Sequence, residues 1–336
     1  MKTYCLKSPF PYFGGKSKVA ETVWSRFGNV ENYVEPFFGS GAVLLLRPAE
    51  AGKETVNDAD GLLANFWRAL RAKPDEVAYH SDWPVSENDL HARHAWLVER
   101  KGSLQAKLEG DPDYFDVKAA GWWVWGMACW IGSGFCSGKG PWQVQEVDGV
   151  RQLVHLGSNG QGVKRKLVHL GDKSRGVNRK LVRLSGHSET GVNAREDLVL
   201  YFEELAARLR DVRVCCGDWS RVCGPSVTHK HGMTAVFLDP PYADTASRAD
   251  NLYRIDCNKV AHAVREWAIE EGKSPLMRIA LCGYEDEHQM PESWECLHWK
   301  QNEGFASQAK ERSNNNRRER IWFSPNCVKA MQRSLL

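Results

Sequence analysis

The stretch Ala235-Val-Phe-Leu-Asp-Pro-Pro-Tyr242 runs four apolar residues straight into an acid and two prolines. It predicts a buried strand that ends abruptly, because proline cannot donate to a sheet ladder and biases the preceding residue towards extended geometry. Asp239 is then held at the carboxyl end of a core strand, where open α/β sheets bind their ligands. The Asp239 carboxylate and the Pro240 carbonyl are both acceptors, and two acceptors converging on a planar –NH2 group bind both of its protons. They also draw the nitrogen lone pair out of conjugation with its ring and make it a nucleophile. Tyr242 offers a flat face for that ring, a contact worth about 1–3 kcal/mol for an aromatic base. The plainer alternative is a strand-ending Asp-Pro turn with a surface tyrosine.

Upstream, Tyr33-Val34 leads into Glu35-Pro-Phe-Phe-Gly-Ser-Gly41 and the apolar Ala42-Val-Leu-Leu-Leu46, a strand, a glycine turn and a helix. Gly39 and Gly41 let the backbone approach a ligand closely, and a helix start offers free N–H groups. Glu35 at the strand tip suits hydroxyls or an amine rather than a phosphate. Thr55-Val-Asn-Asp58 is a second strand ending in an acid, placed where a Rossmann-like nucleoside site keeps its ribose-binding carboxylate. Val212-Arg-Val-Cys-Cys-Gly-Asp218 is a third. Further strands are expected at 278–282, 294–299 and 320–324, with the polar, basic stretch 307–319 read as a loop. The sum is a mainly parallel α/β sheet with ligand sites at its strand tips.

Composition narrows the class. The chain has 336 residues, 42% hydrophobic and 26% charged, which is enough for a sizeable core and two lobes. No apolar run is long enough for a membrane span, and Met1–Phe10 has no signal-peptide core, so a cytoplasmic protein of a bacterium or an infected host cell is expected. The ten cysteines include no C-x-x-C pair, which argues against zinc, and no Pro-Cys nucleophile is present. Asp60 is a plausible cap for a helix carrying Leu62, Leu63, Phe66, Trp67 and Leu70, and Ser86 with Asp89 starts another. His91 and His94 read as surface or packing residues. The tryptophans at 122, 123, 125, 130 and 142 read as core, with base contact as the alternative.

Charge is unevenly distributed. Residues 151–195 hold ten Lys/Arg against two acids, a net +8 in a chain of net +3, so the remainder carries −5. Within that insert, residues 151–164, 165–178 and 179–193 are copies of one pattern: a basic start, Leu-Val-x-Leu, and a polar turn closing on Gly-Val. Copies so short do not make helical solenoid units; short extended segments between loops fit better. An acidic body with one basic insert suggests a grafted polyanion-binding element rather than a merely solvated loop.

Phe13-Gly-Gly-Lys16 precedes the glycine turn, and Asp239-Pro-Pro-Tyr242 follows a long insert. In that order the three motifs closely resemble the Dam-like DNA adenine methyltransferases, phage- and prophage-type members in particular. The resemblance covers about 1–70 and 210–325 and implies a Rossmann-like class I S-adenosylmethionine-dependent methyltransferase fold with an inserted target-recognition domain. The parts would be a first catalytic segment 1–72, an insert 73–200 with basic repeats 151–193, and a second catalytic segment 201–336. It implies S-adenosylmethionine as cofactor, with Tyr12 stacking near it and Gly15 and Lys16 anchoring its polar end. Glu35, Pro36, Phe37, Gly39 and Gly41 would line its methionine part, Asp58 would take the ribose hydroxyls and Asp218 the adenine amine. Asp239, Pro240, Pro241 and Tyr242 would hold an adenine flipped out of double-stranded DNA, and methyl transfer would need no metal. A cognate restriction enzyme is a partner the family admits. Enzymes that methylate RNA base amines or the cytosine amine, and a catalytically inactive DNA-binding relative, are the alternatives.

Arg151, Arg165, Lys166, Arg179, Lys180 and Arg183 are the candidate DNA contacts of the insert. Neutralising Arg165, Lys166, Arg179 and Lys180 together should weaken binding to every DNA sequence. The slope of log affinity against log salt should flatten by roughly three to four, at about 0.9 per phosphate contact. Salt-titrated binding isotherms measure this, and an unchanged slope would leave the repeats a solvated appendage.

Overall fold

The computed structural model describes residues 6–10, 12, 15–48, 52–130, 135–136, 142–147, 150–155, 194–241, 251–285, 287–298 and 319–329. The chain divides into two compact units, one of Met1–Lys7, Gly15–Ala59 and Asp211–Leu336, the other of Ser8–Gly14 and Asp60–Arg210.

The strands in chain order are β1 (Asn32–Glu35), β2 (Lys53–Asp58), β3 (Trp142–Val147), β4 (Val150–His155), β5 (Val212–Cys216), β6 (Thr234–Leu238), β7 (Met277–Tyr284), β8 (Glu295–His298) and β9 (Glu319–Phe323). Seven of them form the sheet of the first unit in the order β5-β2-β1-β6-β7-β9-β8. All neighbours pair in parallel except β9, which runs antiparallel to both β7 and β8. The chain enters at β1, winds outward through β2 to β5, returns to β6 beside β1, and winds outward the other way. The order therefore reverses between β1 and β6, the point at which open α/β sheets form a ligand crevice. The result is a mixed α/β architecture compatible with a methyltransferase fold.

Sequence explains both sheet faces. β6 is buried along its whole length, as the unbroken apolar run predicts. Side chains alternate between faces. Val34, Val236, Leu238, Ile279 and Leu281 share one apolar cluster with Val264 and Ala268 of the long helix Asn251–Glu271. Tyr33, one residue out of phase with Val34, meets Trp24 and Phe27 of α1 (Ala20–Phe27) at ring distances of 4.8 and 6.3 Å. The Trp24 indole N–H donates to the Val43 carbonyl at 2.7 Å and ties α1 to the short helix α2 (Ala42–Leu45).

Two buried polar arrangements lock the sheet's entry side. Asn32 Nδ2 donates to the Val227 carbonyl at 2.8 Å and to Thr234 Oγ1 at 3.1 Å, joining β1 to the approach of β6. Arg47 and Glu54 form an ion pair at 2.9 Å with side chains 2% and 1% exposed. The Arg47 guanidinium also donates to the Val30 carbonyl at 2.8 Å and lies 5.4 Å from the Trp24 ring centre.

The second unit is built on helices α3 (Gly61–Ala72), α4 (Pro74–Ser81), α5 (Glu87–Gly110), α6 (Val117–Cys129) and α7 (Ala194–Arg208), with β3 and β4 as an antiparallel hairpin. The expected caps form: Asp60 accepts from the Leu62 N–H at 2.9 Å and Ser86 from the Asp89 N–H at 3.3 Å. Trp123 and Trp125 of α6 are buried, as the core reading of the tryptophans expects, and Phe66, Trp67 and Phe202 are buried with them. Arg93 is held among Trp83, Trp122 and Trp125, with the Trp125 ring centre 4.3 Å away. His94 is buried and stacks on Trp130 at 4.9 Å, a packing role as expected. The start of the first basic copy, residues 151–155, is an extended strand. Residues 156–193, which hold the rest of the repeats, lie outside the described residues, as does most of 307–319. Among the described residues no helix is long and apolar enough to cross a membrane.

Arg47→Ala should cost about 3–5 kcal/mol, because it removes the cation beside a buried carboxylate. The double change Arg47→Met with Glu54→Leu should recover most of that loss. Urea unfolding of the two variants checks both expectations.

Candidate active site

The residues at the sheet's switch point are fixed from the backbone outward. β1 ends at Glu35 and turns through Pro36 and Phe37 to Gly39 and Gly41, whose φ angles are +48° and +70°. A side chain at either position would strain this left-handed turn, which is the physical reason for both glycines. The turn is stitched to β2: the Phe38 N–H donates to the Asn57 carbonyl at 2.9 Å, and the Gly39 N–H to Asp58 Oδ2 at 3.0 Å. Asn57 Nδ2 reaches the Pro36 carbonyl at 3.1 Å and the Gly217 carbonyl at 3.0 Å, so one buried side chain holds the loops after β1 and β5 in register. Asp218, exposed beyond β5, caps the turn Trp219–Val222 by accepting from the Ser220 N–H at 2.9 Å. Phe37 and Trp219 lie nearly parallel, 6.4 Å between ring centres and 26° between planes. Asp58, Asp218 and the rings of Phe37 and Trp219 thus cluster along the tips of β1, β2 and β5.

On the other side of the switch point, Asp239 follows β6 directly, with Pro240 buried and Pro241 exposed. Its Oδ2 is 2.8 Å from Lys16 Nζ, and the lysine side chain is only 4% exposed. Burial alone disfavours the ammonium, but the charges of Asp239, Cys282 and Glu319 prevail and hold Lys16 above the ordinary lysine range. Lys16 belongs to the segment preceding α1, so its side chain brings that segment against the Asp239 corner directly.

Two more carboxyls are buried nearby. Glu35 is 3% exposed and accepts from the Tyr33 hydroxyl at 2.8 Å. Burial pushes it well above the ordinary carboxylate range, against bonds from Tyr33 and the Leu44 backbone, with the Asp239 charge adding to the rise. It stands at the strand tip, as the sequence expects, with its side chain buried inside the turn. Glu319, the first residue of β9, is 4% exposed, and burial pushes its carboxyl up to about 7 even though the Lys16 charge opposes the shift. The sequence reading leaves Glu319 in a polar loop. Its phase with Ile321 and Phe323, both buried, was the available signal that it begins a strand. Trp219 and Asn57 were also missed; Trp219 directly follows the acid Asp218, while Asn57 has no signature apart from its position beside Asp58.

Gly15 is described beside Lys16 in the first unit. Tyr12 belongs to the second unit, 38% exposed, with its ring 6.0 Å from that of Phe10. Arg151 lies in β4 opposite Glu146 in the backbone register. Tyr242, Arg165, Lys166, Arg179, Lys180 and Arg183 lie outside the described residues. Among the described residues no group of His, Cys, Asp and Glu is placed to hold a metal ion.

The mixed sheet thus carries the acid-tipped glycine turn on one side of its switch point and the Asp239-Pro240 corner on the other. Residues 12–93 match the family model described as D12 class N6 adenine-specific DNA methyltransferase. That match bears out the resemblance to Dam-like adenine methyltransferases over these residues, and the family it describes is one of enzymes. It spans the Gly-Gly-Lys element, the glycine turn and Asp58, and stops before Asp239. A search of the curated proteins found no match.

Asn57→Ala should separate the two loops that Asn57 bridges. The expected cost is about 1–3 kcal/mol for the two buried carbonyls left without their donor, read by thermal or urea unfolding. Asn57→Asp, which keeps the shape but lacks the donor, should be no better.

Proposed function

We propose that the protein transfers a methyl group from S-adenosylmethionine to the exocyclic amino nitrogen of an adenine rotated out of double-stranded DNA. The observation that carries this is the position of Asp239: it sits at the carboxyl end of β6, at the sheet's switch point, with its carboxylate oriented by the buried Lys16 at 2.8 Å. The donor set of the neighbouring crevice fits the cofactor. Asp58, held by the Gly39 N–H, suits ribose hydroxyls, Asp218 suits an amine, and Phe37 with Trp219 offer aromatic faces to an adenine ring. Pro36, Gly39 and Gly41 shape the turn that would receive the methionine part, with Glu35 bracing it from beneath. The cofactor supplies an electrophilic methyl group on sulfur.

The protein's own residues do the rest. The Asp239 carboxylate and the Pro240 carbonyl accept the two protons of the target amine, localising its lone pair towards the incoming methyl group. Pro240 brings no N–H to compete for that amine. Tyr242 would stack on the extruded base and offset part of the few kcal/mol that unstacking costs. No covalent intermediate is required, so positioning and electrostatics carry the rate. The second unit, with its basic repeats 151–193, would dock the DNA and supply target recognition.

The test is methyl incorporation from a labelled donor into double-stranded DNA, followed by nucleoside analysis. N6-methyladenine supports the proposal; N4-methylcytosine, or incorporation into RNA only, would overturn it. Asp239→Asn is the informative variant: like Asp239→Ala it removes the anion facing Lys16, but it keeps the side chain's size and one acceptor oxygen, where alanine would leave a void. Asp239→Asn should slow methyl transfer by about 100-fold or more while calorimetric binding of S-adenosylmethionine stays within a few-fold of the parent protein. Equal loss of cofactor binding in Asp239→Asn and Asp58→Asn would count against this division of roles.

A further inference from the structure

We propose that Ser220 is a positioning residue for Asp218: its hydroxyl pins one oxygen of that carboxylate and leaves the other as the acceptor that selects a 6-amino purine over a 6-oxo purine. The inference rests on the proposed S-adenosylmethionine site, which gives Asp218 the adenine amine.

Asp218 is fixed first through its backbone. Gly217, just before it, has a φ of +128°, a value that favours glycine. Both polar groups of Gly217 are engaged: its N–H donates to the Asp58 carbonyl at 3.0 Å, and its carbonyl accepts from Asn57 Nδ2 at 3.0 Å. On the far side, the Arg221 N–H donates to the Asp218 carbonyl at 3.3 Å. The Arg221 guanidinium is directed onto the Cys216 carbonyl.

The side chain is then fixed by a single residue. Asp218 Oδ1 accepts from the Ser220 N–H at 2.9 Å and from the Ser220 hydroxyl at 2.5 Å. Capping the turn Trp219–Val222 calls for the first of these bonds only. The second, to the same oxygen, adds nothing to the cap, but it stops the carboxylate from turning. With both lone-pair directions of Oδ1 occupied, Oδ2 is the oxygen left to a ligand. A carboxylate oxygen accepts and cannot donate, so it attracts a ring amine and repels a ring carbonyl. Trp219 follows Asp218 in the chain, and its ring lies nearly parallel to that of Phe37 at 6.4 Å between centres, which suits a flat base.

Without the hydroxyl, only the Ser220 N–H holds Oδ1. The carboxylate can then turn away from a 6-oxo group as readily as towards a 6-amino group. Discrimination is lost on both sides, because a site rejects the wrong analogue only while its acceptor is held where the missing N–H should be.

The test is calorimetric titration with S-adenosylhomocysteine and with S-inosylhomocysteine, which differ only in the 6-amino and 6-oxo groups. The parent protein should prefer the first by about tenfold to a hundredfold. In Ser220→Ala that preference should shrink by about threefold to tenfold, and Ser220→Thr, which keeps the hydroxyl, should restore it. A ratio of two affinities in one variant is unmoved by a general loosening of the turn, which weakens both ligands alike, and melting curves report such loosening separately. An undiminished preference in Ser220→Ala, or a preference lost as fully in Ser220→Thr, overturns the inference and leaves the cofactor site standing. A parent protein without preference overturns the assignment of Asp218 to the adenine amine, and the inference with it. A preference that depends on Ser220, in a protein that leaves no N6-methyladenine in DNA, overturns the proposed methyl transfer and leaves the role of Ser220 standing.

Discussion

A lysine ammonium almost wholly removed from water keeps its charge only if an anion lies against it, and the Lys16–Asp239 contact at 2.8 Å meets that condition. The pair imposes two demands on the structure. The segment that carries Lys16 must be laid down before α1 so that the lysine side chain enters the interior. Strand β6 must also end where Asp239 ends it. The two prolines enforce the second demand, since the ladder cannot extend through them. An Asp239 free in solvent would be an ordinary surface acid; held by a buried cation it has one orientation.

The crevice on the other side of the switch point is organised differently, by backbone rather than by charge. Gly39 and Gly41 adopt left-handed φ values, and the amides of Phe38 and Gly39 are spent on Asn57 and Asp58 at the tip of β2. Asn57 then reaches across to Gly217. Three consecutive strand tips are thereby held by hydrogen bonds that need no ligand to form. A site preorganised in this way loses little entropy on binding, the general advantage of building a site on rigid elements.

The second unit shows how aromatic-rich sequence resolves into packing. Trp123 and Trp125 are buried on α6, and the Arg93 guanidinium lies among three indole rings, where its charge is met by ring faces and its flat shape fills the gap between them. Tryptophans that a sequence reading could also assign to base contacts are in these cases core. The basic character of the protein resides instead in the repeats, whose first residues begin as the strand β4.

Most of the sheet was legible in the sequence because its strands are short, apolar and punctuated. The runs ending at Glu35, Asp58, Asp218 and Asp239 each carry their own stop signal, and the caps at Asp60 and Ser86 are local hydrogen bonds that need no tertiary context. The acids at the strand tips could be named for the same reason: a residue after a buried strand has only one place to be. What the sequence could not determine was which of those acids meet. Lys16 and Asp239 are separated by most of the chain and touch only because β6 returns to lie beside β1. Glu35 turned inward onto the Tyr33 hydroxyl, which its position at a strand tip does not reveal. Glu319 looked like the tail of a polar loop, and only the antiparallel insertion of β9 between β7 and β8 buries it. Local pattern sets element and ending, because both depend on neighbours in the chain. Charge pairing and carboxyl ionisation depend on neighbours in space, and the order of the strands alone decides which those are.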